Sequence, residues 1–335
     1  MTGSGLTCDR MRSLLLVLFV LMGACSGNAG AEITTIPTTT STSTTTTITT
    51  TTTPSTTTEP PPAVPEIARA LVTPTGVVVS VLEEKATGYR VTTPCGNEAT
   101  VSEGTPLGTT QVVIDPGHGG EVDTGAVGAN GLIEKHLNLD VSQALQAKLI
   151  VRGIDVVLTR TADYASRLGV RAGLADQLGA DLILSVHHNA PTPGPSARPG
   201  TEVFIQSASE ESRRLGGLVW TRAMAALSDF DIAWVAAPDA GVLTVLSTRG
   251  NDAYGMISGP RTVSVLAELG YISNPAEADL FATTDYVDAV SDALADAVEN
   301  YLTTEATGAG YVGEPRVFNP QPGIGGSLCV DPALE

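Results

Sequence analysis

At 335 residues the chain has room for two domains, and a hydrophobic content of 42% is ample for one sizeable α/β core. A formal net charge of -18 argues against nucleic acid as a partner, because phosphate binding needs basic patches, and equally against a polybasic contact with a membrane surface. The four cysteines, Cys8, Cys25, Cys95 and Cys329, show neither a CxxC pair nor a Cys/His ligand spacing, so no zinc finger is indicated.

Taken in chain order, Arg10 and Arg12 precede an apolar run over 14–22, which ends in Gly23-Ala24-Cys25-Ser26. The basic flank, the apolar length and the small residues predict a secretory signal over 1–25 rather than a spanning helix. This segment is similar to a bacterial lipoprotein signal, in which Cys25 is lipidated and becomes the new N-terminus, although Met22 stands where Leu is usual. The expected location is the cell envelope, with a lipid anchor at the outer face of the cytoplasmic membrane or, without the lipid, secretion. Residues 26–65 are mostly Thr and Pro; they bury too little apolar surface to offset chain entropy and predict a disordered spacer.

Residues 66–109 hold two β-prone runs, GVVVSVLE and GYRVTT, broken by Gly, Pro and Asn. This small β-rich segment is marginal as an independent fold and is expected to lean on the main domain. After export, Cys95 and Cys329 are the two remaining thiols in an oxidising compartment, which predicts a disulfide from this segment to the C-terminal tail.

The main domain, 110–303, alternates between strands and helices. Strand QVVID precedes a helix over 134–152, whose Leu137, Val141, Leu145 and Leu149 form one apolar stripe and which Gly153 ends. Strand IDVVLTR, a helix over 168–178 and strand DLILSVHHN follow. Strand TEVFIQ, a helix over 210–227, strand TVSVLAELGY and a helix over 286–301 complete the series. The pattern predicts an α/β fold, a mostly parallel twisted sheet with helices on both faces, preceded by the small β-rich segment. No long inhibitory helix stands out; the region 228–260 is a candidate for a mobile cover, and the Gly- and Pro-rich tail 304–335 reads as irregular.

Four places carry chemistry: His118 in the glycine loop after the first strand, Glu134 at the start of the first helix, the segment SVHHNA over 185–190 that closes a buried strand, and Glu268 inside the apolar run VSVLAELGY. Two imidazoles and a carboxylate with an open fourth position make a catalytic zinc site. Zn2+ polarises an amide carbonyl and lowers the pKa of a water towards 7, and a second carboxylate is then needed to accept the proton and pass it to the leaving nitrogen. Glu268 suits that role, since a carboxylate within an apolar run needs a reason to be there. His187 and His188 face opposite sides of a strand, so only one of them ligates. His136 reads as a surface residue, and Asn189 and Arg160 as structural or supporting groups. Alone, His118 could be a turn residue, Glu134 a helix-terminal charge favoured by the dipole, and Glu268 a buried structural carboxylate.

At these residues the chain resembles the zinc-dependent N-acetylmuramoyl-L-alanine amidases of the type 3 family. The matching stretches are VVIDPGHGG, GLIEK, LTRTADY, RAGLADQLGADLILSVHHNA and VLAELGYISNPAEADLF, in that order. The resemblance implies His118, Glu134 and His187 as zinc ligands and Glu268 as the catalytic glutamate. It implies peptidoglycan as the substrate, cut at the amide joining the muramic lactyl group to L-Ala. Asp176 departs from the usual Asn, and PTPGPSARPG is an insertion after Ala190 that bears on loop shape and substrate preference. Two other readings remain open: a zinc peptidase acting within the stem peptide, and a non-catalytic wall-binding or regulatory lipoprotein with this fold. A regulatory protein partner is left open, with no identity given by the sequence.

Overall fold

Three places where the sequence runs apolar without alternation, 112–116, 182–189 and 263–271, become adjacent central strands of one sheet. The computed structural model describes residues 67–191, 193–320 and 328–335; the expected signal, Cys25 and the Thr/Pro spacer lie outside them. The β-prone runs of 66–109 form an antiparallel sheet of five strands, β1 (Ala70–Val72), β2 (Val78–Lys85), β3 (Gly88–Thr92), β4 (Glu98–Val101) and β5 (Thr105–Leu107). Their order is β4-β3-β2-β1-β5.

The main domain begins with β6 (Val112–Pro116), α1 (Glu134–Val151), β7 (Val156–Leu158), α2 (Leu168–Leu178) and β8 (Leu182–Asn189). It continues through β9 (Gly194–Ser196), β10 (Glu202–Ile205), α3 (Glu210–Leu227), β11 (Trp234–Ala236) and β12 (Val242–Leu246). Then come α4 (Gly255–Ser258), β13 (Val263–Tyr271), α5 (Pro275–Phe281), α6 (Thr284–Thr303) and β14 (Arg316–Val317). The seven-stranded sheet runs β14-β12-β10-β13-β8-β6-β7, and of its pairs only β10 with β13 is antiparallel.

Side-chain alternation along the strands sorts the core into two layers. Val112, Ile114, Leu182, Leu184, Val186, Val265 and Ala267 pack with the apolar faces of α1, α3 and α6. Val113, Ile183, Phe204, Leu243 and Leu266 face the other way, onto Leu174 and Leu178 of α2, Met256 and Ile257 of α4, and Ala70 and Val78 of the small sheet. The predicted fold class is therefore the observed one, helices on both faces, with the small sheet sharing the core of the second face.

The region 228–260, the candidate cover, supplies β11, the interior strand β12 and α4, whose runs were too short to show a period in the sequence. The tail is not wholly irregular, because β14 pairs in parallel with β12 and satisfies that strand's otherwise open edge. The insertion after Ala190 contributes β9, which pairs with β11 as a two-stranded ribbon. The Cys95–Cys329 disulfide is present. Beside it, Asp331 accepts hydrogen bonds from Cys95 N at 2.7 Å and Asn97 Nδ2 at 2.8 Å, so the tail is clamped to the β3–β4 turn.

Candidate metal centre

β6 is buried along its length and delivers the chain into Gly117-His118-Gly119-Gly120 at the carboxyl end of the parallel strands, where open α/β sheets place their ligands. His118 sits at φ +63, a left-handed conformation that costs a non-glycine residue about 1–2 kcal/mol. Two buried guanidiniums hold it there. Arg160 donates to Pro116 O at 2.9 Å and Gly117 O at 2.9 Å, and Arg171 donates to Pro116 O at 2.8 Å and His118 O at 2.7 Å. Arg171 also pairs with Asp115 at 3.1 Å. Burial opposes the Asp115 charge, but Arg171 and the Thr159 and Ser185 hydroxyls hold its carboxyl below the usual range.

Glu134 opens α1, whose first N–H groups find partners in the preceding loop: Glu134 N donates to Ala126 O at 2.9 Å and Lys135 N to Thr124 O at 3.2 Å. That loop returns a donor to the side chain, Ala126 N to Glu134 Oε2 at 2.8 Å. The other oxygen, Oε1, lies 3.2 Å from His118 Nε2 and 3.2 Å from His187 Nδ1. One ligand atom from each of His118, Glu134 and His187 lies within 4.8 Å of the others.

The donor set fits a tetrahedral ion. Metal bonds of about 2.0–2.1 Å imply ligand atoms roughly 3.3 Å apart, close to the observed carboxylate–imidazole distances. Two imidazoles and one carboxylate, with the cleft on the open side, also match a site that keeps a position for substrate or water. The surroundings leave no room for larger residues. A Cβ on Gly125 would lie 2.5 Å from Glu134 Oε2 and 2.7 Å from His118 Cδ2, and one on Gly117 would collide with the His187 ring.

Without an ion, the electrostatics of the triad are those of a cation sink. Burial disfavours charge on His118, yet hydrogen bonds to Asp123 and Glu134 push its imidazolium up to about 10. Burial likewise opposes the Glu134 charge, but His118 and His187 hold that carboxyl well below the usual range. Asp123, which sequence reasoning did not single out, lies 2.6 Å from His118 Nδ1. A carboxylate in this place would orient the imidazole for a metal; the only trace in the sequence is an acid five residues past the histidine.

His188 points the other way, as strand alternation requires, and is buried beneath α1 and α6. Asn138 donates to Glu134 Oε1 at 3.3 Å and Gly117 O at 3.3 Å, which leaves its oxygen to accept from His188 Nδ1 at 2.8 Å. Neutral His188 therefore carries its proton on Nδ1, and Tyr286 OH donates to Nε2 at 2.6 Å. This chain of buried contacts pins the carboxylate that faces both imidazoles. Asn138→Ala is expected to weaken metal binding by about 10–100-fold, measured by competition with a chelator; unchanged affinity would remove Asn138 from this role.

The same burial makes His188 acid-labile. Its ordinary value of 6.5 falls to about 3 in the fold, so between those pH values the unfolded chain takes up a proton that the folded chain refuses. Stability of the chelator-treated protein should fall as pH drops through that window, by up to about 1.4 kcal/mol per unit from this group. Chemical denaturation at several pH values checks this, and His188→Gln should flatten the slope.

Glu268 stands on β13 with its Cα opposite that of His187 on β8. Its Oε2 is buried and has no hydrogen-bond partner among the described residues. Burial, then the charges of Glu134 and Glu202, push its carboxyl well above the usual range, and His118 opposes them. His118, Glu134, His187 and Glu268 line one cleft of about 750 Å³, together with Arg167 and Tyr254. The remaining sequence candidates lie outside this cluster or serve it indirectly. His136 is a surface residue 3.5 Å from Asp163, Arg160 is the loop clamp described above, and Asn189 donates to Glu202 at 3.0 Å. Asp176 accepts from Arg261 N and Thr262 N, each at 2.9 Å, and so ties down the entry to β13.

Comparison with known proteins places this geometry in a family context. The N-acetylmuramoyl-L-alanine amidase family matches residues 112–300. An uncharacterized protein of Bacillus subtilis (strain 168), YqiI, is 36% identical over 210 residues, covering 62% of this chain and 90% of its own length. The N-acetylmuramoyl-L-alanine amidase AmiA of Salmonella typhimurium is 31% identical over 224 residues, covering 57% of this chain and 75% of that protein. The crystal structure of an N-acetylmuramoyl-L-alanine amidase from Clostridium difficile 630 superposes with a TM-score of 0.50 at 27% identity, over 59% of this chain and 99% of the other.

Proposed function

This chain belongs to the N-acetylmuramoyl-L-alanine amidase family and hydrolyses amide bonds in peptidoglycan, and we propose that it does so with a zinc ion held by His118, Glu134 and His187 and with Glu268 as the proton-transferring base. One observation carries this reading: two imidazole nitrogens and a carboxylate oxygen converge within 4.8 Å on the wall of a cleft that also holds Glu268, whose Oε2 has no hydrogen-bond partner among the described residues. The bond cut is the amide between the muramoyl lactyl group and L-Ala.

Bound zinc would supply a polarised carbonyl, a more acidic attacking water and positive charge that keeps Glu268 ionised. Glu268 takes a proton from the attacking water and delivers it to the amide nitrogen as the C–N bond breaks. The products are a muramoyl carboxylate and a peptide with a free L-Ala amine. Asp123 fixes the ring of His118, and Asn138 with His188 fixes the Glu134 carboxylate, so neither ligand reorganises during turnover. The cleft walls, including Arg167 and Tyr254, seat the substrate.

The export signal over 1–25, lipid on Cys25 and the Thr/Pro spacer 26–65 complete the proposal: a catalytic domain tethered at the cell envelope, within reach of its substrate. Digestion of purified cell-wall sacculi, with and without chelator, tests the chemistry. Mass spectrometry should find released stem peptides and glycan strands with free lactyl carboxyls, and chelator should abolish both. Cut peptide cross-links with the muramoyl amides intact would replace the amidase by a peptidase, and no release together with no bound metal would make the protein non-catalytic.

A further inference from the structure

The antiparallel pairing of β10 with β13 sets Glu202 directly opposite Glu268. On the other side of β13, His187 pairs with the same residue. His187, Glu268 and Glu202 thus form a row across three adjacent strands on one face of the sheet. Like charges directly opposite each other on neighbouring strands repel and destabilise the pair, and Glu202 is wholly buried. A second bare carboxylate here would be costly to the fold and would push against Glu268.

The opposing charge comes from the tail. Arg316, on the edge strand β14, donates Nη1 to Glu202 Oε2 at 3.0 Å and Nη2 to Glu202 Oε1 at 2.7 Å. Its guanidinium is held in turn by Asp239, Nε to Oδ2 at 2.9 Å and Nη2 to Oδ1 at 2.7 Å. Glu202 accepts two more hydrogen bonds, from Asn189 Nδ2 at 3.0 Å and Tyr271 OH at 3.3 Å, so both its oxygens are fully engaged, while Glu268 Oε2 has no partner among the described residues. Residue 316 lies beyond the stretch 112–300 that matches the family, so this charge comes from outside the matched domain.

Resting on the reading of Glu268 as the base, we propose that Arg316 is a positioning residue for the hydrolysis: it neutralises Glu202 and thereby holds Glu268 and Asn189 in their working places in the cleft. The tail is then part of the active site. Without the guanidinium, Glu202 loses the fork that holds both its oxygens, and its side chain no longer fixes Asn189 or the carboxylate opposite it.

The test uses the full zinc-loaded protein and a soluble muramoyl peptide. Arg316→Ala should lower kcat about 10–100-fold, the scale expected when a distant change misplaces a reacting group by about 1 Å, with KM and metal content little changed. Adding Glu202→Gln removes the unpaired charge and should recover most of the lost kcat. A purely structural tail contact would lower the folded fraction, and so the turnover per total protein, while kcat per folded, metal-loaded molecule stayed at the parent value. The inference is overturned by an unimpaired Arg316→Ala, or by a double variant as slow as the single. Should Arg316→Ala fail to fold, the double variant carries the test: turnover nearer the parent than Glu268→Gln supports the inference, and the reverse overturns it. Glu268→Gln separates the two claims. Full activity there removes the base, and this inference with it; loss there without rescue at Arg316 overturns only the role of the tail.

Discussion

Glu268→Gln should lower kcat by about 10²–10⁴, the range by which a positioned acid or base accelerates proton transfer, while the protein still holds one metal ion per chain. Glutamine keeps the size and most of the shape of the side chain, so the strand β13 and the cleft it lines should survive. What disappears is the oxygen that can hold a proton. Because Oε2 has no partner among the described residues, the substitution breaks no hydrogen bond at that atom, and the thermal transition should move little. Steady-state kinetics with metal analysis on the same samples decide the matter. A variant that keeps metal and full turnover removes Glu268 from the mechanism, and a loss of metal along with activity reassigns it to the ion's environment.

His118→Ala should fail in the opposite order, losing the metal first and activity as a consequence. Catalytic zinc sites typically use three protein ligands, and removal of one should cost more than the about 10–100-fold expected for an outer partner such as Asn138. The parent protein should also be stabilised by the ion, because a ligand that binds only the folded state adds stability by mass action. Chelator should therefore lower the melting temperature of the parent and leave that of His118→Ala unchanged. Alanine at φ +63 keeps the left-handed strain, since only glycine would relieve it, and the contacts of His118 with Asp123 and Glu134 are lost, so the metal-free variant should be no more stable than the metal-free parent. A chelator-sensitive, metal-loaded His118→Ala would contradict the assignment of the ligand.

Much of the site was legible from residue type and spacing. His118 stands in a loop whose glycines announce a turn at a strand end, Glu134 begins a helix with a clear apolar stripe, and Glu268 is conspicuous because a carboxylate interrupts VSVLAELGY. Strand alternation separated His187 from His188, and the structure sends them to opposite faces. Other features left no local trace. Asn138 looks like any polar helix residue, Asp123 like any loop acid, and neither announces which imidazole it orients. Arg316 lies in a Gly- and Pro-rich tail with no periodicity to mark it, and its partner Glu202 is 114 residues away.

By itself the sequence determined the α/β class and the order of the main elements, which follow from local physics: hydrophobic period and glycine at turns. It also offered candidates for the chemistry, Glu268 through the cost of leaving a charge within an apolar run, and Glu134 and His187 only with the family resemblance. The tertiary structure alone decided the strand order β14-β12-β10-β13-β8-β6-β7 and, with it, which side chains became neighbours. Register across strands depends on pairings between distant segments, and those pairings set His187 beside Glu268, Glu268 beside Glu202, and an arginine from the tail against the last of them. A chain can state which charges it holds; only packing determines which of them must share a buried face, and so which need a partner.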